Sequence, residues 1–387
     1  MKLLLSDKWM MEPRTLIGIM TGTSLDGVDT AICRFEDSFD MHHYDLLAYE
    51  EYEFPAELRD KLLKIIAQPI MIKDISQANI ALSQVYADCI EKITKKHKIT
   101  KKTIDAVGIH GQTVWHNPTK EQFCEFDVSS ILQLGSGQAT AQLTGLPVVS
   151  DFRINDIIQG GQGAPLVPLF DYNFMRSDAE NRILLNIGGI ANITYLPAGC
   201  LQSEIRAFDT GPGNMLIDFA VFELFGMKYD SNGYIASKGK IIPDLFDKLK
   251  TIPFVNQKPP KSTGRELFNK ELIADYLYSA NPEDLIRTLT EFTAYCIIEN
   301  IKKFAPGGKS VFISGGGGKN QFLLELMENM MPKIDFFPAE YCGIDSNAKE
   351  AACFAYIAYR TIGGLHSNIP SVTGAKKTCL LGTLSLP

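Results

Sequence analysis

Continuous apolar runs, alternating runs and stretches of helical spacing follow one another along the chain. After a short extension over residues 1–12, TLIGIM reads as a buried strand and VDTAICRF alternates as a second one. The glycine-containing turn TGTSLDG between them predicts a hairpin, not the strand-to-helix step of a dinucleotide-binding unit. YDLLAYEEYEF is a third β-like run. Residues 56–98 place apolar side chains at helical spacing, through ELRDKLLKII and again through IALSQVYADCIEKITKK. AVGIH then reads as a short buried strand entering a loop at GQTVWHN, and PVVSDF as another strand before a glycine-rich loop.

The second half restarts the pattern. RILLNIGGIANITYLP predicts strand, turn, strand, and EIRAFDTGPGNMLIDFAVFELF predicts strand, glycine turn, helix. Helical spacing covers much of the stretch from ELIADYLY to ENIKKF. SVFISGGGGKNQFLLELMENM is a strand that ends in four glycines and opens a helix, and AKEAACFAYIAYRTIG is a last helix. Two halves that each open with strands and glycine turns suggest a duplicated α/β architecture.

The 387 residues are too many for one compact core and suit two domains. A net charge of −7 argues against a nucleic-acid partner, which usually demands a basic stripe. It leaves anionic substrates open, because backbone N–H groups and a metal can hold phosphate. The eight cysteines form no CxxC pair and several lie in apolar runs, as expected of reduced thiols in a reducing cytosol. Asp7 and Lys8 interrupt the leucines of MKLLLSDKWMMEPRT too early for a signal-peptide core, and no run approaches the ~20 apolar residues of a membrane span. The expected location is cytoplasmic, away from any membrane.

Three glycine turns carry the chemistry: Gly22-Thr23-Ser24-Leu25-Asp26-Gly27, Asp209-Thr210-Gly211-Pro212-Gly213-Asn214, and Gly315-Gly316-Gly317-Gly318. Successive N–H groups in such turns form a concave seat for phosphate oxygens, and a neighbouring Asp is a hard oxygen ligand for Mg²⁺. One such turn is an ordinary bend more often than not; three, each after a buried strand, point to a nucleotide. The one GKS, Gly308-Lys309-Ser310, has Lys303 where a Walker loop needs its first glycine and precedes a strand, so it is a decoy. The remaining common plan grips phosphates with glycine turns from two lobes, as in the actin, hexokinase and Hsp70 superfamily.

GTSLDGVD, IHGQTVWH, DFRINDIIQGGQGAPLVPLFD, LLNIGGIAN, FDTGPGN, STGRELF, SGGGGKN and NIPSVTGA occur in this order. Together they resemble the anhydro-N-acetylmuramic acid kinase family from about Thr15 to the C-terminus. The resemblance implies a two-domain actin/hexokinase-like α/β fold, with ATP and an amino sugar in a cleft between lobes. One lobe would take residues 13–150 plus 346–387 and the other 151–345. It implies that Gly22 to Asp29, including Val28, form the first phosphate turn, with Asp26 near the metal and the γ-phosphate. Asp209, Thr210, Gly211, Gly213 and Asn214 would form the second turn, Asp209 also serving the metal. Gly315 to Gly318 with Asn320 would support the adenosine. His110, Gln112, Thr113, Arg153 and Asp156 would line the sugar pocket, and a homodimer is compatible with the family. The sequence departs from the family's usual pattern at MTGTS and at Gly343-Ile344-Asp345-Ser346-Asn347.

The reaction the resemblance implies needs a base. In a 1,6-anhydro sugar O6 is tied to C1, so phosphorylating it requires breaking C1–O6 while water arrives at C1. A carboxylate must take that water's proton, as in an inverting glycosidase, and the released O6 attacks the γ-phosphate. Asp156 is the expected base, with Asp151, Asp171 and Asp209 as competing carboxylates. His110 and His116 are too isolated for a zinc pair, and Arg265, Glu266, Lys349 and Glu350 divide evenly between cleft and ordinary helix roles. Two rivals remain at this level: a kinase of an ordinary sugar hydroxyl, and a nucleotide-switched binding protein of the same fold.

Overall fold

The computed structural model describes residues 9–22, 25–38, 41–264 and 267–387. The chain divides into two compact units, Met1–Phe174 with Ala348–Pro387, and Met175–Asn347.

In the first unit, strands β1 (Arg14–Met20), β2 (Val28–Ser38) and β3 (Met41–Tyr52) form an antiparallel meander. β4 (Ala106–Ile109) lies parallel to β1 on its other side. β5 (Gln112–Phe123) and β6 (Phe126–Leu134) stand apart as a two-stranded ribbon. β7 (Val148–Ser150) runs parallel to β4, and the C-terminal strand Thr383–Ser385 closes that edge. The loop expected at GQTVWHN is therefore the start of a long ribbon. Its strands face solvent on most positions and hold Pro118, so no core-directed alternation marks them.

β1 reads as an uninterrupted apolar run because both of its faces are covered. Ile17 and Ile19 pack into a cluster with Leu82, Tyr86 and Ile90 from the helix Ile72–Lys96. The opposite face receives the helix Lys349–Ile362. A Cβ on Gly18 would stand 1.8 Å from the Ala351 carbonyl oxygen, and one on Gly108, its partner across β1 and β4, 2.2 Å from that of Phe354. The paired glycines let that helix lie directly on the sheet, and Ala351, Ala352, Ala355 and Ala358 keep the contact close.

The second unit repeats the plan. β8 (Asn181–Ile187), β9 (Ile190–Leu196) and β10 (Arg206–Pro212) form a meander, β11 (Gly308–Ser314) lies parallel to β8, and β12 (Asp335–Pro338) parallel to β11. The strand order β10-β9-β8-β11-β12 matches β3-β2-β1-β4-β7 element for element. This is the duplicated α/β architecture of the actin and hexokinase type. The Gly308-Lys309-Ser310 decoy opens β11.

Residues 151–174, expected to open the second lobe, cluster with the first unit. Two buried polar ties hold them there: the Asp156 carboxylate accepts from Asn368 and Thr373, and Asp171 pairs with Lys349 at 2.7 Å. At the other end, buried Trp9 donates its Nε1–H to the Tyr359 carbonyl at 2.9 Å, docking the N-terminal extension on the last long helix. All eight cysteines are free, five of them buried.

Candidate functional site

In each unit glycine turns lie at the carboxyl ends of the central strands. In the first unit the turn after β1 is held from below. Gln112, fully buried, donates Nε2–H to the Gly22 carbonyl at 3.2 Å. Leu25 N–H closes the turn onto the same carbonyl at 3.2 Å, with Leu25 buried at φ 57°, and Arg59 Nε donates to the Leu25 carbonyl at 2.9 Å. Asp26, next in the turn, is exposed. Thr23 and Ser24, and likewise Arg265 and Glu266, lie outside the described residues.

Val28 and Asp29 begin β2. Asp29 accepts from Tyr49 Oη at 2.5 Å. Burial pushes its carboxyl up to about 6 against the pull of that hydroxyl, and the nearby charges of Glu51, Glu350 and Asp26 add to the rise. Glu350 is itself raised, first by burial, with Lys349 and Arg153 opposing. Glu350 is nonetheless exposed at the surface.

His110 follows β4 and packs at a tilt against Phe354, ring centroids 4.6 Å apart. Arg153 donates to His110 Nε2 from Nε (3.1 Å) and Nη2 (2.7 Å), and to the Gly163 carbonyl from Nη1 (2.6 Å). A ring nitrogen that accepts from a guanidinium must carry its lone pair, so His110 is neutral with the proton on Nδ1. Burial, then the Arg153 charge, hold its pKa well below the usual range. Gln133 completes the group, donating to His110 Nε2 at 3.0 Å and to Thr113 Oγ1 at 3.2 Å. His116 is spent on the loop, its Nε2 2.8 Å from the Gln162 carbonyl.

Asp156 is fully buried. Its Oδ1 accepts from Asn368 Nδ2 and Thr373 Oγ1, each at 2.7 Å, and its Oδ2 from Gly163 N at 2.8 Å. These bonds staple the GGQG loop to the C-terminal NIPSVTGA segment. Asp171 is closed off by Lys349. Asp151 is exposed, at φ 59°, and accepts from Ser150 Oγ at 2.9 Å.

In the second unit, the N–H groups of Gly213 and Asn214 donate to the carbonyls of Gly189 and Gly188, each at 2.8 Å, and that of Met215 to Gly189 at 3.1 Å. A Cβ on Gly213 would stand 2.2 Å from the Gly188 oxygen. The FDTGPGN turn thus spends these donors in bracing the β8–β9 hairpin. That hairpin's turn, Gly188-Gly189, occupies the place in the second sheet that Gly22 to Gly27 occupy in the first. The sequence reads RILLNIGGIANITYLP as strand, turn, strand; what it does not bring out is that this turn stands between the first two strands of the repeat, as Gly22 to Gly27 do in the first.

Thr210 and Gly211 complete β10, Thr210 Oγ1 donating to the Ala191 carbonyl at 3.0 Å. Gly315 to Gly318 turn under β8, where a Cβ on Gly317 would meet Ile187 Cγ2 at 2.3 Å, while Gly316 faces open space. Asn320 is buried as the cap of helix Gln321–Met330, accepting from Leu323 N at 3.1 Å. Asp209 is half-buried, its N–H donating to the Lys261 carbonyl at 3.1 Å and its Oδ2 accepting from Thr263 N at 2.8 Å.

Comparison with known proteins bears on what this geometry serves. A model of the family described as anhydro-N-acetylmuramic acid kinase matches residues 14–386. The chain is 38% identical over 386 residues to a protein of that name from Caldanaerobacter subterraneus subsp. tengcongensis, covering 97% of this chain and 98% of the relative. It is 38% identical to one from Vibrio cholerae serotype O1, covering 98% and 100%, and 40% identical to one from Gloeothece citriformis, covering 96% and 98%.

Proposed function

The chain belongs to the anhydro-N-acetylmuramic acid kinase family, and we propose that within it Asp209 is the base that activates water. The enzyme phosphorylates 1,6-anhydro-N-acetylmuramic acid with ATP and opens the ring, giving N-acetylmuramic acid 6-phosphate and ADP in cell-wall recycling.

The observation that carries the assignment is the contrast among the carboxylates. Asp156 has no solvent contact and three donors to satisfy, and Asp171 is sealed by an ammonium. Asp151 is open to bulk water, where a base gains nothing from its surroundings. Asp209 combines partial exposure with an orientation set by a backbone N–H, which is what general-base geometry asks for. Asp156 then acts at one remove, holding the loop whose Gly163 carbonyl accepts from Arg153, and Asp209 gives up the metal role expected of it.

In this reading Arg153 and neutral His110 orient the sugar with Thr113 and Gln133, while Gln112 supports the turn that receives the nucleotide. The nucleotide seats at Gly22 to Gly27 and at Gly188-Gly189, with Gly315 to Gly318 beneath its base. Asp209 takes a proton from water as that water attacks C1. The C1–O6 pair stays on O6, which then bonds to the γ-phosphorus as ADP leaves, and the proton on Asp209 passes to solvent.

Mg²⁺ is the metal we assign, with Asp26 as its protein contact and Asp29 behind it. Among the described residues no three acidic, His or Cys side chains converge to cage an ion. That donor set fits a cation that keeps most of its water and takes one or two carboxylates together with phosphates. When bound, it neutralises charge on the transferring phosphoryl group. We assign the enzyme to the cytoplasm; among the described residues no helix is long and apolar enough to cross a membrane.

Calorimetry on Asp209→Asn tests the reading: ATP and sugar bind as in the wild type while turnover falls by about 10²–10⁴. Wild-type turnover in that variant removes Asp209 from the role.

A further inference from the structure

Lys261 is buried, and among the described residues no carboxylate lies within ion-pair distance of its ammonium. Its Nζ donates instead to the carbonyls of Phe254 (3.0 Å) and Val255 (3.3 Å). The rings of Phe254, Phe208 and Phe304 surround it, with centroids 4.6, 5.9 and 6.0 Å away. A methionine or leucine would fill such a box without the cost of desolvating a charge, so the ammonium needs another reason to be there.

That reason lies in what its backbone touches. β10 is an edge strand, and residues 261–263 cover that edge around Asp209. Ser262 is exposed and Thr263 and Gly264 are partly so, which leaves the Lys261 side chain as the segment's deep anchor. Asn300, fully buried, ties the same corner together, donating Nδ2–H to the carbonyls of Cys296 (2.8 Å), Thr210 (3.2 Å) and Val255 (3.4 Å). The Val255 carbonyl thus accepts from both the lysine and the asparagine. Burial pushes the ammonium's pKa down to about 8, with Cys296 and, least, the Asp209 charge opposing.

We propose that Lys261 is a positioning residue for Asp209: its buried ammonium anchors the 261–263 segment so that the Thr263 N–H fixes the orientation of the Asp209 carboxylate. The inference rests on the reading of Asp209 as the base.

The test compares Lys261→Met, Lys261→Gln, Asp209→Asn and the Asp209→Asn/Lys261→Met double variant by melting temperature, KM for both substrates, and kcat. Lys261→Met melts at or above the wild-type temperature, since an apolar side chain of similar volume replaces a buried charge. Its KM values stay within about twofold while kcat falls about 10- to 100-fold, the scale of a misplaced catalytic group. Lys261→Gln, which keeps a donor for the two carbonyls, recovers part of that loss. In the double variant the lysine change adds nothing to the loss from Asp209→Asn.

Wild-type kcat in Lys261→Met overturns the inference, as does a parallel fall of melting temperature, kcat and affinity, which marks a merely structural lysine. Should Lys261→Met fail to fold, Lys261→Gln carries the test, and wild-type kcat there overturns it. Asp209→Asn turning over normally defeats the base reading; Asp209→Asn inactive beside a normal Lys261→Met defeats only the role of Lys261.

Discussion

Replacing Asp156 by Asn separates a staple from a base. The carboxylate accepts three hydrogen bonds in a site without solvent. An asparagine oxygen can keep Asn368 and Thr373, but the amide nitrogen then faces the Gly163 N–H, donor against donor. An unsatisfied buried donor costs about 1–3 kcal/mol, and two charge-assisted bonds become neutral ones, for a total of roughly 2–4 kcal/mol. In a unit of this size that lowers the melting temperature by roughly 4–16 °C. Scanning calorimetry reads the transition, and steady-state kinetics well below it reads kcat. We expect the melting temperature to drop and kcat to stay within about tenfold of the wild type, since the loss reaches the substrate only through Arg153. An unchanged melting temperature with kcat down 10²-fold or more, the scale of a lost general base, would refute the reasoning and return the base role to Asp156.

Asp29, pushed up to about 6 from an ordinary 3.8, binds its proton more tightly folded than unfolded. Its contribution to stability is complete below pH ~4 and is lost as pH rises through 6. Asp29→Asn should therefore gain melting temperature relative to the wild type between pH 4 and pH 7; a constant difference across that range contradicts the shift. Lys349→Met strands the buried Asp171 carboxylate and should cost about 3–5 kcal/mol, most of which Lys349→Met/Asp171→Leu recovers; denaturant titration of both checks it. Trp9→Ala empties a buried site against the last long helix and should cost about 3–5 kcal/mol without changing KM, read by the same titration.

The elements that announced themselves were those with covered faces. β1, β8 and β11 pack on both sides, so their apolar runs survive in the sequence. The β5–β6 ribbon was invisible because, beyond its buried base at Gln112 and Leu134, most of its positions face solvent. Glycine turns were legible as turns after buried strands, but not which of them brace one another. Gly213 is required by the Gly188 carbonyl beside it, a constraint set by tertiary contact that no local pattern carries. Asp156 sat in a motif-rich segment and read as chemistry. Its partners Asn368 and Thr373 lie more than 200 residues away, so its structural work could not be read locally. Lys261 escaped because its carbonyl partners lie only six and seven residues away, while its bearing on Asp209 is a matter of strand-edge pairing.

The central claim is that Asp209 delivers water to C1 as the ring opens. The most direct measurement incubates wild type and Asp209→Asn with Mg²⁺, ATP and 1,6-anhydro-N-acetylmuramic acid in ¹⁸O-water, sampled by mass spectrometry before exchange at the reducing end. The account predicts sugar 6-phosphate carrying one ¹⁸O at C1 from the wild type, formed about 10²–10⁴ times more slowly by the variant. Labelled product at the wild-type rate from Asp209→Asn would contradict it.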